Sequence, residues 1–359
     1  MTLGNALYSD ILGLPAAIER SLHHLLGPGR PSIEAAASAI GGAPRLVVAA
    51  IGASHAAAMA FCAALAAQGR PAALEDASEL LHYNLGAHPP GTLFVLVSRS
   101  GETIEITRLL DLLSERGELV VGVTNVPGSR LGREAGISLF TSSPSDDLIA
   151  IKTYGATLLL FDLLAQTVAG RQNAPDRLRD WAGLPEAMEK TLLAMAANEP
   201  AWVSEASQDR VHYLLARGAS LATAHEGALL FHEMARLNAT PATAGHFRHG
   251  PWEVVDPRVT TILCAPVDQT WGLNMLMAND LAHMGGHVKL IASRFADGLD
   301  PAIERWLVPD MRSDLAPLLE IIPIQCYVYA AAMRQGHVPG QFRASTPITL
   351  AESGSLLSR

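Results

Sequence analysis

The chain has 359 residues, 49% of them hydrophobic and 17% charged, and carries a net charge of −9. That length and apolar share suit about two packed domains, and an acidic chain with no basic block argues against nucleic acid or acidic membrane surfaces as partners. The three cysteines, Cys62, Cys264 and Cys326, lie far apart in apolar contexts. They read as buried free thiols in a reducing compartment, not as a disulfide framework or a nucleophile.

The N-terminal stretch MTLGNALYSDILGLPAAIER lacks the basic and long apolar regions of a signal peptide, and residues 1–30 read as a helical segment. Residues 47–67 carry no formal charge and are long enough to span a bilayer. Gly52-Ala53-Ser54-His55 interrupts them, after a β-rich run and before an Ala-rich one. A strand, a turn and a helix fit better, and a cytoplasmic protein without a membrane segment is expected. Strands are predicted at 45–51, 92–98, 118–124 and 136–140, with helices near 54–68, 102–116, 129–135 and 152–170. Fully apolar strands alternating with helices predict an α/β fold, a parallel sheet with helices on both faces.

The pattern recurs. RLVVAAIGAS (45–54) is echoed by VHYLLARGAS (211–220), TLFVLVSRSGET (92–103) by TTILCAPVDQT (260–270), and GELVVGVTN (117–125) by GGHVKLIAS (285–293). The offsets are 166 from Gly52 to Gly218, 167 from Thr103 to Thr270 and 168 from Thr124 to Ala292. Three echoes in order at a near-constant offset indicate two copies of one α/β module. The expected division is module 1 at 31–185, module 2 at 186–340 and a Ser/Thr/Pro-rich tail at 341–359, with the joint in the polar stretch 171–208.

Ser98, Arg99, Ser100, Gly101, Glu102 and Thr103 sit between a buried strand and a helix. Ligands bind at that edge of an open parallel sheet. Free N–H groups and the positive dipole end attract anions there. Three hydroxyls, a glycine and an arginine make a candidate phosphate cradle, although Ser-x-x-Thr can also simply cap a helix. The nucleotide patterns GxxxxGK[ST] and GxGxxG are absent. Gly52-Ala53-Ser54 is a second such turn. The second module has Ala265-Pro266-Val267-Asp268-Gln269-Thr270 in place of the hydroxyl cluster, so the first module carries the polar site.

The other dense stretch is HEGALLFHEMARLNATPATAGHFRHGP, 225–251. Residues 220–236 read as one helix with Leu229, Leu230 and Met234 at apolar positions. Glu233 among them is either a solvated carboxylate or a functional one. His246 and His249 have H-x-x-H spacing. No cysteine or carboxylate joins them at ligand spacing, so no metal is expected. A histidine before Gly-Pro in a polar loop suits acid/base work.

At these residues the sequence resembles the sugar isomerase (SIS) family of phosphosugar enzymes. Ser98-Arg-Ser-Gly-Glu-Thr103 resembles its SxSGxT phosphate loop and Gly52-Ala-Ser54 its first glycine–serine loop. Glu226-Gly-Ala-Leu-Leu-Phe-His-Glu233 is similar to its catalytic helix, and Phe247-Arg-His-Gly-Pro251 to its K/R-H-G-P loop. The resemblance covers roughly 30–350 and implies two tandem flavodoxin-like modules. It implies that Ser98, Arg99, Ser100 and Thr103 hold a sugar 6-phosphate with Gly52 and Ser54 nearby, Arg99 standing where many members have Gln. It makes Glu233 the base that moves a proton between C1 and C2, and His249 the group that opens the sugar ring. Main chain from Leu148 to Lys152 would line the sugar pocket. The histidine loop would serve the neighbouring subunit, in a homodimer with a shared active site. No cofactor is implied.

The departures narrow the reaction. The family's hexosamine-forming synthases have a lysine three residues before the glutamate, where this chain has Leu230. Their tail pattern P-x-x-L-x-K falls on Pro347-Ile-Thr-Leu350-Ala-Glu352, with Glu352 at the lysine. The chain has no room for a glutaminase domain, so glutamine-dependent amination is not expected. What remains is a hexosamine 6-phosphate isomerase or deaminase working through an enolamine, or a deglycase of 6-phosphorylated Amadori compounds. A non-catalytic phosphosugar sensor is the reading from another class. Residues 1–44 are too short and too little basic for a DNA-binding domain, which weighs against it.

Overall fold

The computed structural model describes residues 5–197 and 210–342. Ten strands form two five-stranded sheets, and every strand pair is parallel. The first contains β1 (Arg45–Ala50), β2 (Ala73–Asp76), β3 (Thr92–Val97), β4 (Val120–Thr124) and β5 (Ile137–Phe140), in the order β2-β1-β3-β4-β5. The second contains β6 (Val211–Ala216), β7 (Ala239–Thr243), β8 (Val259–Cys264), β9 (His287–Ala292) and β10 (Glu304–Leu307), in the order β10-β9-β8-β6-β7. Read from either end these are the same 2-1-3-4-5 flavodoxin-like order. The repeat seen in the sequence is thus a repeat of topology, and the strands predicted in the first module fall within two residues of those found.

Alternation decides which helices cover which face. In the first sheet, Val47, Ala49, Phe94 and Leu96 point to one side and pack on Ile106, Leu109, Leu110 and Leu113 of the Ile104–Glu115 helix. Leu46, Val48, Val95 and Val97 point to the other and are also buried. There the Ala53–Ala67 and Lys152–Val168 helices meet through stacked Phe61 and Phe161, 4.7 Å apart at 11°. Strands buried on both faces must be continuous apolar runs, which is what made them legible. The nominally membrane-length run divides into β1, a turn and the Ala53–Ala67 helix, as expected.

In the second sheet Leu215, Leu263, Val288 and Leu290 face Met275, Ala278 and Leu281 of the Trp271–His283 helix. On the opposite face Leu214 lies against Gly227 and Ile324, from the Leu221–Leu230 and Ala316–Arg334 helices. Ala316–Arg334 is apolar and long enough to cross a membrane by composition, but 94% of its apolar window is buried. Its apolar character is that of a helix sunk in a core.

Short edge strands escaped the sequence reading. Ala73–Asp76 and Ala239–Thr243 are four and five residues long, polar in part, and Pro241 interrupts the second, as edge strands allow. The chain divides into two compact units. One contains Ala17–Ser145 and Lys152–Arg179, with the first sheet; the other contains Asp180–Gln341, Asp146–Ile151 and residues 5–16, with the second sheet. The first sixteen residues therefore do not travel with the rest of the segment 1–30. In the second-sheet unit Asn5 Nδ2 donates to Pro339 O at 3.1 Å, and Tyr8 lies 5.1 Å from Tyr329.

Phe161→Ala should open a cavity that its rigid neighbours cannot fill, costing about 3–5 kcal/mol. A lower urea midpoint for loss of the first-sheet unit's structure is the expected result.

Candidate active site

β3 ends at Val97, and the next six residues close into a hydroxyl-lined loop. Ser98 is 3% exposed. Its Oγ stands 2.8 Å from Thr103 Oγ1 and 3.4 Å from Ser100 Oγ, and accepts from Gly101 N at 3.0 Å. The Glu102 N–H donates to Ser100 Oγ at 3.2 Å. Thr103 is the N-cap of the Ile104–Glu115 helix but makes no side-chain capping bond. Its hydroxyl is turned toward Ser98 instead. Of the two readings the sequence left open, a simple threonine cap is the one this geometry does not favour. Arg99 and Ser100 are exposed at the loop's outer edge.

Gly101 is required twice over. Its φ is +67°, and an added Cβ would lie 2.0 Å from Ser129 Oγ. The loop is braced by the turn after β4. Arg99 O accepts from the Asn125 N–H at 3.0 Å and from Thr124 Oγ1 at 3.1 Å. Gly101 O accepts from the Leu131 N–H at 3.2 Å, and Glu102 Oε1 from the Arg130 N–H at 2.8 Å. Sequence reasoning missed these bracing residues. Thr124-Asn125 at a strand's end was the available signal, since Asn125 Oδ1 also accepts from Thr141 Oγ1 at 2.6 Å and Ser143 N at 2.9 Å.

The register sets Gly52 and Ser54 beside this loop. Ala49 pairs with Leu96 in parallel, so the turn after β1 emerges next to Ser98, at the switch point where β1 and β3 are neighbours but their crossovers diverge. Gly52 has φ +60°, and Ser54 lies in the first turn of the Ala53–Ala67 helix. Burial pushes His55 below the ordinary imidazole range, against the raising effect of Asp76. Lys152 opens the Lys152–Val168 helix of this unit. Leu148 belongs to the second-sheet unit and is 37% exposed. Glu352 lies outside the described residues.

In the second-sheet unit the helix predicted over 220–236 is not uniform. An α-helix runs Leu221–Leu230 and continues as a π-turn, Phe231–Ala235. Glu233 lies in that π-turn and is half-buried between fully buried Phe231 and Met234. The turn ends at Arg236, whose φ is +54°. One-turn π segments reposition a side chain out of the helical row and gather at functional sites. Leu230, the position of the synthases' lysine, is fully buried.

His249 stands on an outward loop. The Ala244–Phe247 turn is capped by Thr243 Oγ1, which accepts from His246 N at 3.1 Å. Phe247 is fully buried, 5.0 Å from Tyr213 and 6.1 Å from Trp252. Between Phe247 and Trp252 the chain bulges outward, leaving Arg248, His249 and Gly250 exposed. The cysteines are free. Cys264 and Cys326 are buried as expected, but Cys62, in the Ala53–Ala67 helix, is only partly covered. Burial still pushes the Cys62 thiol up to about 12, so it is not a thiolate at neutral pH.

Residues 40–167 match the SIS domain model. Over 258 residues the chain is 32% identical to the glutamine–fructose-6-phosphate aminotransferase (isomerizing) of Pyrobaculum aerophilum, an alignment covering 70% of this chain and 42% of that protein. The C-terminal domain of glucosamine-fructose-6-phosphate aminotransferase from Francisella tularensis superposes with a TM-score of 0.80 at 21% identity, covering 94% of this chain and 98% of that one. A glucosamine-6-phosphate deaminase from Thermotoga maritima gives 0.74 at 18% identity, covering 94% and 97%. Residues 40–167 belong to the SIS family, and both sheets have the SIS fold. It spans less than half the length of the Pyrobaculum protein.

Gly101→Ala should destabilise the first-sheet unit by about 1–3 kcal/mol through the left-handed conformation alone. The clash with Ser129 should also open the loop, read as faster amide exchange across 98–104 in the variant.

Proposed function

We propose that this chain is a SIS-type phosphosugar isomerase/deaminase acting on a hexosamine 6-phosphate through an enolamine, and that it works in the cytoplasm. The observation that carries the reading is the Ser98–Thr103 loop. Its hydroxyls converge at a parallel sheet's switch point, beside a helix start that no side chain caps. That is an anion cradle suited to a phosphoryl group. The names of relatives support the class of substrate, since they act on fructose 6-phosphate or glucosamine 6-phosphate.

The modules, 31–185 and 186–340, divide the work. Ser98, Arg99, Ser100 and Thr103, with Gly52 and Ser54, hold the phosphate. Its binding energy is remote from the reacting carbons and serves to position them. With the ring open, Glu233 takes the proton from the nitrogen-bearing carbon and returns it to the adjacent carbonyl carbon. Enolamine becomes imine, and water releases the amine. A half-buried carboxylate among apolar neighbours suits both proton transfers. Leu148, Lys152 and Glu352 are assigned to the sugar's remaining contacts. Leu230 in place of lysine favours amine release over amination.

His249 opens the ring. Its exposure supports the reading that it completes the site of a second copy, in a homodimer, because an acid/base group left facing solvent is poorly positioned for chemistry.

Glu233→Gln should lower turnover by roughly 10²–10⁴-fold while leaving sugar-phosphate binding intact. The assay is ammonia and amine release from glucosamine 6-phosphate, galactosamine 6-phosphate and a 6-phosphorylated Amadori adduct. Ammonia from a hexosamine phosphate is expected. A free amino acid from the adduct would make the enzyme a deglycase, and no turnover with retained binding would leave a sensor. Mixing Glu233→Gln with His249→Ala protein should restore activity that neither has alone. Failure to do so in a verified mixed dimer would place His249 in its own subunit's site.

A further inference from the structure

Glu320 lies in the Ala316–Arg334 helix, is 1% exposed, and belongs to neither the phosphate loop nor the acid/base pair. Its two carboxylate oxygens accept from Ser220 Oγ at 3.0 Å and from Thr223 Oγ1 at 3.1 Å. Ser220 is the N-cap of the Leu221–Leu230 helix, yet makes no side-chain capping bond. A serine in that place ordinarily accepts from the helix's own first amides. Here the hydroxyl instead points away, buried, to Glu320. Thr223 donates from the first turn of the same helix. Two hydroxyls one turn apart thus clamp the helix start to one carboxylate, and that helix runs on into the π-turn of Glu233.

We propose that Glu320 is a positioning residue for the proton-transfer step, fixing the start of the helix that carries Glu233 through Ser220 and Thr223. The proposal rests on the role assigned to Glu233. The repeat offers a physical reason for this device. At an offset of 166, Ser220 is the counterpart of Ser54, which the first module offers to ligand. In the second module that hydroxyl is consumed internally, and a structural carboxylate takes the place of a bound anion.

The clamp is sensitive to charge. Glu320's partners among the described residues are hydroxyls, and burial pushes its carboxyl up to about 7, with the Ser220 and Thr223 bonds opposing and Asp268 adding to the rise. The groups that shift it are acidic or neutral, and the Arg217 guanidinium lies within electrostatic reach of Asp268. Asp268 accepts from Thr270 N and Oγ1, both at 2.7 Å. Asp310 accepts from Ser293 Oγ at 2.8 Å, and Ser293 lines the same small cavity of about 10 Å³ that Glu320 does. The thiol of Cys264 is raised by burial and by Glu320. When ionised, Glu320 accepts two charge-assisted bonds, about twice as strong as neutral ones. When protonated it can accept only one such donor while it donates its own proton. The clamp therefore tightens as pH rises through neutrality. Stability runs the other way: a carboxyl whose folded value is raised contributes fully below its ordinary value of 4.5, and that contribution is lost as pH rises to about 7.

The test compares wild type with Glu320→Gln, and with Thr223→Val as a second, milder variant. Amide exchange over 221–226 should be faster in Glu320→Gln than in wild type at about pH 8, and equal to it at about pH 5. With hexosamine 6-phosphate, kcat should drop roughly five- to tenfold at the higher pH, the KM unchanged and the acid limb near neutrality flattened. Thr223→Val should move both readouts the same way. The melting temperature of wild type should fall relative to Glu320→Gln between those pH values, a difference in which buried His212, shared by both proteins, cancels. Equal exchange at both pH values, or loss of protection spread evenly through the second sheet, would overturn the proposal. If wild type turns over no sugar phosphate, the assignment of Glu233 fails while the exchange comparison still decides whether Glu320 clamps the helix.

Discussion

A parallel strand buried on both faces cannot return by a hairpin. It must cross back over the sheet through a helix, and this constraint organises both halves of the chain. It gathers strand C-termini and helix N-termini on one edge of each sheet. Where the crossovers diverge, between β1 and β3 in one sheet and β6 and β8 in the other, a crevice opens with amides aimed into it. Chemistry at that edge needs only a few polar residues, because the dipoles and the backbone donors are supplied by the fold.

The two modules use the same edge differently. In the first, the hydroxyls of Ser98, Ser100 and Thr103 converge on one another, with Ser100 at the exposed edge, while the turn after β4 braces the loop backbone. In the second, Asp268 satisfies Thr270 locally and Glu320 absorbs Ser220 and Thr223. A buried carboxylate facing hydroxyls repels an anion, so this edge is closed to phosphate and serves to hold a helix. One duplicated scaffold thereby yields a half with an open hydroxyl loop and a half that carries Glu233 and His249. The two candidate acid/base groups also differ in setting. Glu233 is half-buried on a π-turn, whereas His249 is displayed on a loop pinned at both ends by Phe247 and Trp252.

Four strands of the first module could be read because they are apolar runs, and the cluster of five polar residues among 98–103 could be read because it breaks that apolar pattern. The four- and five-residue edge strands could not, since Ala73–Asp76 and Ala239–Thr243 are mostly half-buried or exposed and carry no distinguishing pattern. The π-turn was equally hidden. Phe231 to Ala235 have ordinary helical composition, and the turn they form packs against the Ala316–Arg334 helix, a contact no local pattern records.

By itself the sequence determined the α/β class and the duplication, and singled out the hydroxyl loop after β3 and the candidate pair Glu233 and His249. Those features are local: a period of apolar residues, a repeat offset, a cluster of hydroxyls before a helix. Only the tertiary structure decided that Ser129 forces glycine at 101, that Asn125 braces Arg99's carbonyl, and that Glu320 clamps the start of Glu233's helix from 97 and 100 residues away. Each of these depends on atoms brought together across crossovers. Burial raises the cost of an unpartnered polar group only once the fold has excluded water from it, and a linear reading of the residues holds no record of that exclusion.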